Sequence, residues 1–559
     1  MFQFTQSSKK NISPKKGRKA EPVAVTIQRG VRSVMDFLLS VYLVLMIGVM
    51  PFYFEDGYAH IATDKMTFCS RVSILLWRVM APVFAIFLLC SLISFLQEHR
   101  DGLKNALWQQ VCSLVKGLSW TDRFTALYAV ALVLSYLCSE YKEDALWGAG
   151  NGWFTGFLPQ IMLALAYFFV TRFWKPRKAF FWLLLPVSAV VFLLGYLNRF
   201  SVYPIKMNMS SPSFISTIGN INWYCGYVVT VFFAGAALLW QGVGKSWQKG
   251  LLAGYVLLGF GTLVTQGSAS GILALGVLLL FMFCMSAGDG LMMGRFWVTA
   301  FLLSVACLFT KLLRQAAPER MNFDDGVISL LTTGTLPMIM TVVSFALMMW
   351  IYVSNRKGSY QKKLFITGTK ISVTLVSFLL AAFIVLTVIN TMNPGSIGRL
   401  SEYAAFTFSD TWGSNRGATW KAGVMCFAEQ NLLHKLVGVG PDAMAAFTYK
   451  DGSAKLVEML NAVFGEYVRL TNAHNEWLTV LVNTGILGLI GFGGAMVTAI
   501  RTFLKRCGKD AIACACGVSL LAYTVNNIFS FQQTINLTTM MVILSMGMAF
   551  VREKELGKR

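Results

Sequence analysis

Apolar runs of about 18–25 residues recur from one end of this chain to the other. Each is long enough to cross a hydrocarbon core of about 30 Å as a helix. Inside such a core the backbone must satisfy its own hydrogen bonds, which runs of this length do only as helices. With 56% hydrophobic and 13% charged residues, 559 residues carry too little charge to cover a soluble surface. The expectation is an all-α polytopic integral membrane protein with about 14 transmembrane helices. The basic N-terminus has no short apolar core beside it, so no cleavable signal is expected.

The formal charge of +22 has a topological explanation. When loops are numbered alternately from an inside N-terminus, nearly every short Lys/Arg-rich loop falls on one side. "QEHRDGLKNALWQQVCSLVKG", "RFWKPRKA", "SNRKGSYQKK", "RTFLKRCGKD" and "VREKELGKR" are among them. That is the positive-inside pattern, and it puts both termini in the cytoplasm. It also removes the nucleic-acid reading of a basic chain. The organisation follows: a basic tail at 1–33, eleven spans over 34–391, a long external loop at 392–475, three spans over 476–552 and a basic tail at 553–559. The short gap "TQGSAS" is the weakest boundary, and one flanking segment could be re-entrant. The 11 cysteines mostly lie in apolar runs and suggest no disulfide framework, and the four histidines are too scattered for a zinc site.

The external loop is far longer than ordinary connectors. It carries Trp412, Trp420, Phe427, Phe447, Tyr449 and Tyr467, and "RGATWKAGVMCFAEQNLLHKL" has helical periodicity. Short helices lying over the bundle are expected. Where the loop re-enters the membrane stands "NAHNEWLTVLVNTG". On a helix starting near Asn472, His474, Trp477, Leu478, Leu481 and Gly485 share one side, and Glu476, Thr479 and Asn483 form a polar stripe on another. Polar stripes in membrane helices face a bundle interior or a wet cavity. The helix N-terminus favours an anion. Arg399, Arg416, Lys421 and Arg469 from the loop, with Arg199 and Lys206 from an earlier external loop, run against the positive-inside bias. Forked arginine donors match phosphate oxygens, which makes pyrophosphate the natural ligand for such a cluster. A solvated basic loop and an interfacial histidine bonded to a carbonyl are the plainer alternatives.

"AHNEWLTVLVNTGILGLIGF" resembles the signature of the O-antigen ligase and polymerase superfamily, in which His-Asn opens a helix ending Gly-x-x-Gly. "ALWGAGNGWFTG", "SFISTIGNINWYCGY" and "NRGATWKAGVMCFAEQNLLHKLVGVGPDAMAAF" are similar to further stretches of that family in the same order, over roughly residues 120–550. The resemblance implies a GT-C-like glycosyltransferase bundle in the bacterial cytoplasmic membrane. Its substrates would be a glycan on undecaprenyl pyrophosphate and an acceptor glycan or second lipid-linked glycan. It implies that Arg416 and His474 match the loop arginine and the signature histidine, and it brings in Asn220, Asn222, Trp420 and Asn475 from the matching motifs. One departure stands at Ala269, where many members carry an arginine; Arg199 or Lys206 would have to substitute.

No cofactor or metal is needed for this chemistry, because pyrophosphate is already a good leaving group. Arg416 would hold the diphosphate and His474 would take the acceptor proton, with Glu476 as a second base or as the group that orients the histidine. Asp324 and Asp325 could hold a divalent cation as an alternative. Ligase and polymerase are both compatible with the motifs. A transporter for lipid-linked sugars would instead need paired charges near the membrane midplane, and few are present. The orientation predicts that a single cysteine at Ser453 labels with an impermeant thiol reagent in intact cells and one at Lys554 does not. Labelling at 554 or protection at 453 reverses the topology.

Overall fold

The computed structural model describes residues 23–99, 103–148, 155–209, 211–321 and 326–557. The first part comprises α1 (Val23–Val44), continued to Phe52 by a π turn and a 3-10 turn, α2 (Ile61–Glu98), α3 (Leu103–Lys116), α4 (Trp120–Cys138), α5 (Lys142–Trp147), α6 (Phe157–Phe173) and α7 (Ala179–Arg199). A two-residue ribbon, Phe214–Ile215 against Gly219–Asn220, leads into α8 (Ile221–Trp240). Then come α9 (Ser246–Thr265), α10 (Ala269–Ser286), α11 (Gly290–Ala316), α12 (Gly326–Thr332), α13 (Leu336–Arg356) and α14 (Lys362–Met392). The long loop folds into α15 (Trp412–Glu429), α16 (Leu432–Val437), α17 (Met444–Lys450) and α18 (Ala454–Phe464). The chain ends in α19 (Glu476–Leu504), α20 (Ala511–Asn526) and α21 (Thr534–Leu556).

This is an all-α membrane protein. Among the described residues ten helices are long and apolar enough to cross a bilayer, and α6 and α20 are shorter apolar helices. The two flanks of "TQGSAS" are separate helices, α9 and α10. The apolar windows of α8 and α21 are buried on nearly every side, which makes them the centre of the bundle. α14 is equally apolar but almost wholly exposed, so its surface is lipid-facing. α4 runs along α19, where a side chain at Gly491 would collide with the backbone of Tyr128 at 2.6 Å. Small residues at such seams let membrane helices approach closely.

Two features depart from expectation. The segment 103–116, read as a connecting loop, is the amphipathic helix α3. Leu107, Trp108, Val111 and Val115 form its exposed apolar face. Cys507 and Cys514 pair as a disulfide across the turn between α19 and α20, where the cysteine pattern suggested none.

The feature that positions the loop is a break in α19. Gly485 has φ +66° and ψ −169°, outside the helical region, so the helix is interrupted there. The freed carbonyls find partners elsewhere. Val482 O accepts from Val439 N and Gln430 Nε2, both at 3.1 Å. Asn483 O accepts from Gly440 N at 3.1 Å and from Ser135 Oγ at 2.6 Å, and Asn483 Oδ1 accepts from Met444 N at 2.9 Å. The segment "GVGPDAM" is thereby hydrogen-bonded into the broken helix. The contact is too close for a Cβ: one at Gly485 would lie 2.4 Å from the Leu436 carbonyl. Gly485→Ala therefore combines a left-handed backbone, worth about 1–3 kcal/mol of strain, with a backbone collision. Its apparent melting temperature in detergent should fall well below wild type. Gly276→Ala, with nothing within 4 Å of its new Cβ, should not fall. Equal behaviour of the two variants contradicts the docking.

Candidate active site

α19 begins at Glu476, not near Asn472. Asn475 is its N-cap, with Oδ1 accepting from Leu478 N at 3.1 Å. His474 precedes the cap in a left-handed conformation, φ +47°, held by its N–H donating to Asn472 Oδ1 at 2.9 Å. The histidine therefore projects from a turn rather than from a helical face. A non-glycine residue in that region is uncommon and is characteristic of constrained functional positions.

Glu476, Thr479 and Asn483 do form a polar stripe, and it faces protein. Thr479 Oγ1 accepts from Ala473 N at 3.1 Å. Glu476 is fully buried. Its carboxylate accepts from Tyr523 Oη at 2.9 Å and from Asn527 Nδ2, while its own N–H donates to Asn527 O at 3.0 Å. Glu476 has no hydrogen bond to His474 among the described residues; it ties α19 to α20 and the turn that follows. Glu476 N and Leu478 N are both committed within the protein, so the start of α19 offers fewer free donors than its position suggested.

The turn Asn527–Gln533, between the last two helices, is the floor of the site and was not singled out from the sequence. Besides receiving Glu476, it presents Phe529 O, which accepts from Arg416 Nε at 2.8 Å, and the Phe531 ring, which the His474 imidazole meets edge-on at 4.8 Å. Arg416 Nη1 donates to Gly413 O at 2.8 Å. Immediately before Arg416, Gly413, Ser414 and Asn415 all have positive φ, a sharp left-handed turn that sets where the arginine leaves the backbone of α15. No carboxylate pairs with Arg416 among the described residues. Burial lowers its pKa, with the nearby Cys225 thiol opposing the shift. Burial also pushes the His474 pKa down to about 4, and the Arg416 charge adds to that effect. His474 Nδ1 is buried without a hydrogen-bond partner among the described residues. The site is thus an unpaired, half-buried guanidinium beside a neutral, half-buried imidazole.

Trp420 packs tilted against Phe529 at 5.3 Å and edge-on to Trp412 at 5.6 Å, and it lines a cleft of about 640 Å³ with Phe408, Lys421, Lys455, Met459 and Leu478. The other expected residues lie elsewhere or are engaged. Lys421 is paired with Asp410 at 2.8 Å. Arg199 is fully buried and donates to Pro212 O at 2.8 Å and Gln266 O at 2.6 Å. Asn220 caps α8 by accepting from Asn222 N at 2.9 Å, which puts both asparagines at a helix start. Arg469 lies over the Tyr449 ring, and Lys206 and Arg399 are exposed. None of these last three is hydrogen-bonded to Arg416 or His474 among the described residues. Asp324 and Asp325 lie outside the described residues. The signal for the missed turn was a polar-aromatic gap, "NNIFSFQQ", where a short connector would do.

The fold and site define an α-helical membrane protein with a polar centre at the mouth of its last helices. Residues 326–493 match the family model described as O-Antigen ligase, a match that supports the O-antigen ligase superfamily for this part of the chain. The matched region contains His474, Arg416 and the break in α19. No curated protein matches the chain. Because Arg416 contributes to the low His474 pKa, Arg416→Gln should move it up from about 4 toward the ordinary 6.5. Titration of histidine-labelled protein by NMR measures this; an unchanged midpoint would show that the two groups are not neighbours.

Proposed function

We propose that this protein transfers a glycan from undecaprenyl pyrophosphate to an acceptor hydroxyl at the external face of the bacterial cytoplasmic membrane, in the manner of an O-antigen ligase. The observation that carries the proposal is the juxtaposition of Arg416 and His474 on one turn, inside the region matched to the O-antigen ligase family. The orientation rests on the positive-inside pattern of the basic loops. In this reading the bundle is GT-C-like with fourteen spans; the ten long apolar helices among the described residues support a polytopic chain.

Arg416 receives the pyrophosphate, since it has forked donors and, among the described residues, no acid to neutralise it. The acceptor oxygen attacks the sugar's C1. The C1–O bond to the pyrophosphate breaks, and its electron pair leaves with undecaprenyl pyrophosphate. The hydroxyl proton passes to the His474 imidazole. At about 4 the free imidazole is a weak base. A bound pyrophosphate offsets the Arg416 charge and so raises the histidine's pKa at the moment the base is needed. The acceptor approaches along the Trp420 cleft, whose aromatic wall suits sugar rings. Glu476 acts by holding the α19 start against the Asn527 turn. The mechanism requires no metal. A polymerase joining two lipid-linked repeats would use the same groups; the cleft's apolar lining, which suits a lipid-anchored acceptor, is what keeps that reading open.

His474→Ala should insert normally, bind the lipid-linked glycan and transfer it about 10²–10⁴-fold more slowly. Arg416→Lys keeps the charge but loses the fork and should lose most activity. Transfer is measured with purified protein and lipid-linked donor in proteoliposomes, with and without chelator. Normal turnover by well-folded His474→Ala removes it as the base. A defect cured by more donor makes it a binding residue instead. Loss of activity in chelator with recovery in Mn²⁺ would replace the metal-free mechanism.

A further inference from the structure

At the end of the bundle away from the transfer site, α3 stands almost clear of the other helices. It links α2 to α4, and Thr121, in the first turn of α4, donates to Thr498 near the far end of α19 at 3.2 Å. Ala106 is the only buried residue among its 14. Leu107, Trp108, Val111 and Val115 are exposed on one face, Trp108 by 69%. Asn105, Gln109, Ser113 and Lys116 are exposed on the other. The two sets separate at helical spacing. A helix this short with one buried residue is marginal in water on its own. It needs a surface that covers the apolar face and leaves the polar face wet.

Both ends of α3 join lipid-facing surface. Before it, Leu89, Leu92, Ile93 and Leu96 form an exposed apolar stripe over the last turns of α2. After it, Arg123 of α4 donates to Val115 O at 3.3 Å and lies over the ring of Trp120, itself 64% exposed, at 4.9 Å. The end of α3 is thereby fixed beside the first turn of α4. Exposed tryptophans at the ends of spans mark the membrane interface, and Trp108 and Trp120 bracket this one. α3 carries Lys104 and Lys116 and no acid. Lys104 stands at the start of the apolar face, where a lysine stem lies along apolar surface while its head reaches water. The flanking charges, Glu98, Arg100, Asp101 and Arg123, are of both signs, so the apolar face and not the charge selects the partner. We propose that α3 lies in the lipid–water interface of the leaflet at this end of the bundle. Its Leu107–Val115 face sinks among the upper acyl chains, and its Asn105–Lys116 face stays with headgroups and water. The partner is the bilayer surface itself, and the helix sets the depth at which α2 and α4 leave it. This inference does not rest on the transfer reaction.

The full chain tests this, one copy per nanodisc of mixed phosphatidylcholine and phosphatidylglycerol. Accessible native cysteines are replaced, and single nitroxide labels are placed through Gln109→Cys, Val111→Cys, Ser113→Cys and Val115→Cys. Collisions with oxygen, which concentrates in lipid, are compared with collisions with a water-soluble nickel chelate. Labels at 111 and 115 should favour oxygen and lie about 5–10 Å below the phosphates. Labels at 109 and 113 should favour nickel. If Val111→Cys fails to insert, Leu107→Cys takes its place. Nickel access on both faces puts α3 in water and overturns the proposal. Exclusion of both reagents at 111 and 115 overturns it too, because the face is then covered by protein.

Discussion

The interruption of α19 at Gly485 is the constraint on which the rest of the site depends. In an unbroken helix the carbonyls of Val482 and Asn483 would be taken by N–H groups one turn later. Here they are donated to from outside, by Val439, Gly440, Gln430 and Ser135. Each bond is worth about 1 kcal/mol net, and more where water is excluded. Together they turn an 80-odd-residue excursion, the stretch from 392 to 475, into a lid with a fixed register on the membrane helix. Without that register, Arg416 would have no defined relation to a histidine more than fifty positions later.

The second fixed point is the Asn527–Gln533 turn. It meets α19 through Glu476, α15 through Arg416 and the loop's re-entry through His474. Three segments remote in sequence thus share one floor. The same arrangement explains why Glu476 is buried: a carboxylate with two side-chain donors and a backbone link is a tie between helices. The electrostatics follow from the geometry. Among the described residues a cation without an acid stands beside an imidazole kept neutral by burial, and that charge is the reason an anion is the proposed ligand.

The legible part of this architecture was the part governed by length and charge. Apolar runs must become helices in a bilayer, and basic loops must gather on one side, so the order of helices and the long loop could be read directly. The loop cations and His474 stood out because cations and a histidine at a helix mouth run against those rules, and the family resemblance then picked Arg416 and His474 from among them. What could not be read depended on single backbone angles and on pairing across the fold. The left-handed turn at His474 moved the helix start by four residues from 472 to 476, and with it the face on which the histidine lies. The floor turn carries its weight through a backbone carbonyl and a ring edge, which leave no pattern in composition. α3 was hidden because its lysines and glutamines resemble a basic connector, although its apolar residues recur at helical spacing. The family match is confined to 326–493, so Arg199, Lys206, Asn220 and Asn222 lie outside it, and the structure places Arg199 and Asn220 in supporting roles.

The central claim is that the docked loop and the last helices make one pyrophosphate site at Arg416. A cryo-EM structure with a non-hydrolysable lipid-linked pyrophosphate sugar tests it most directly. The account predicts the diphosphate within hydrogen-bond distance of the Arg416 guanidinium and the sugar's C1 facing His474, with "GVG" still seated in the break of α19. A diphosphate bound elsewhere in the bundle, with Arg416 still turned only to Phe529 and Gly413, would contradict it.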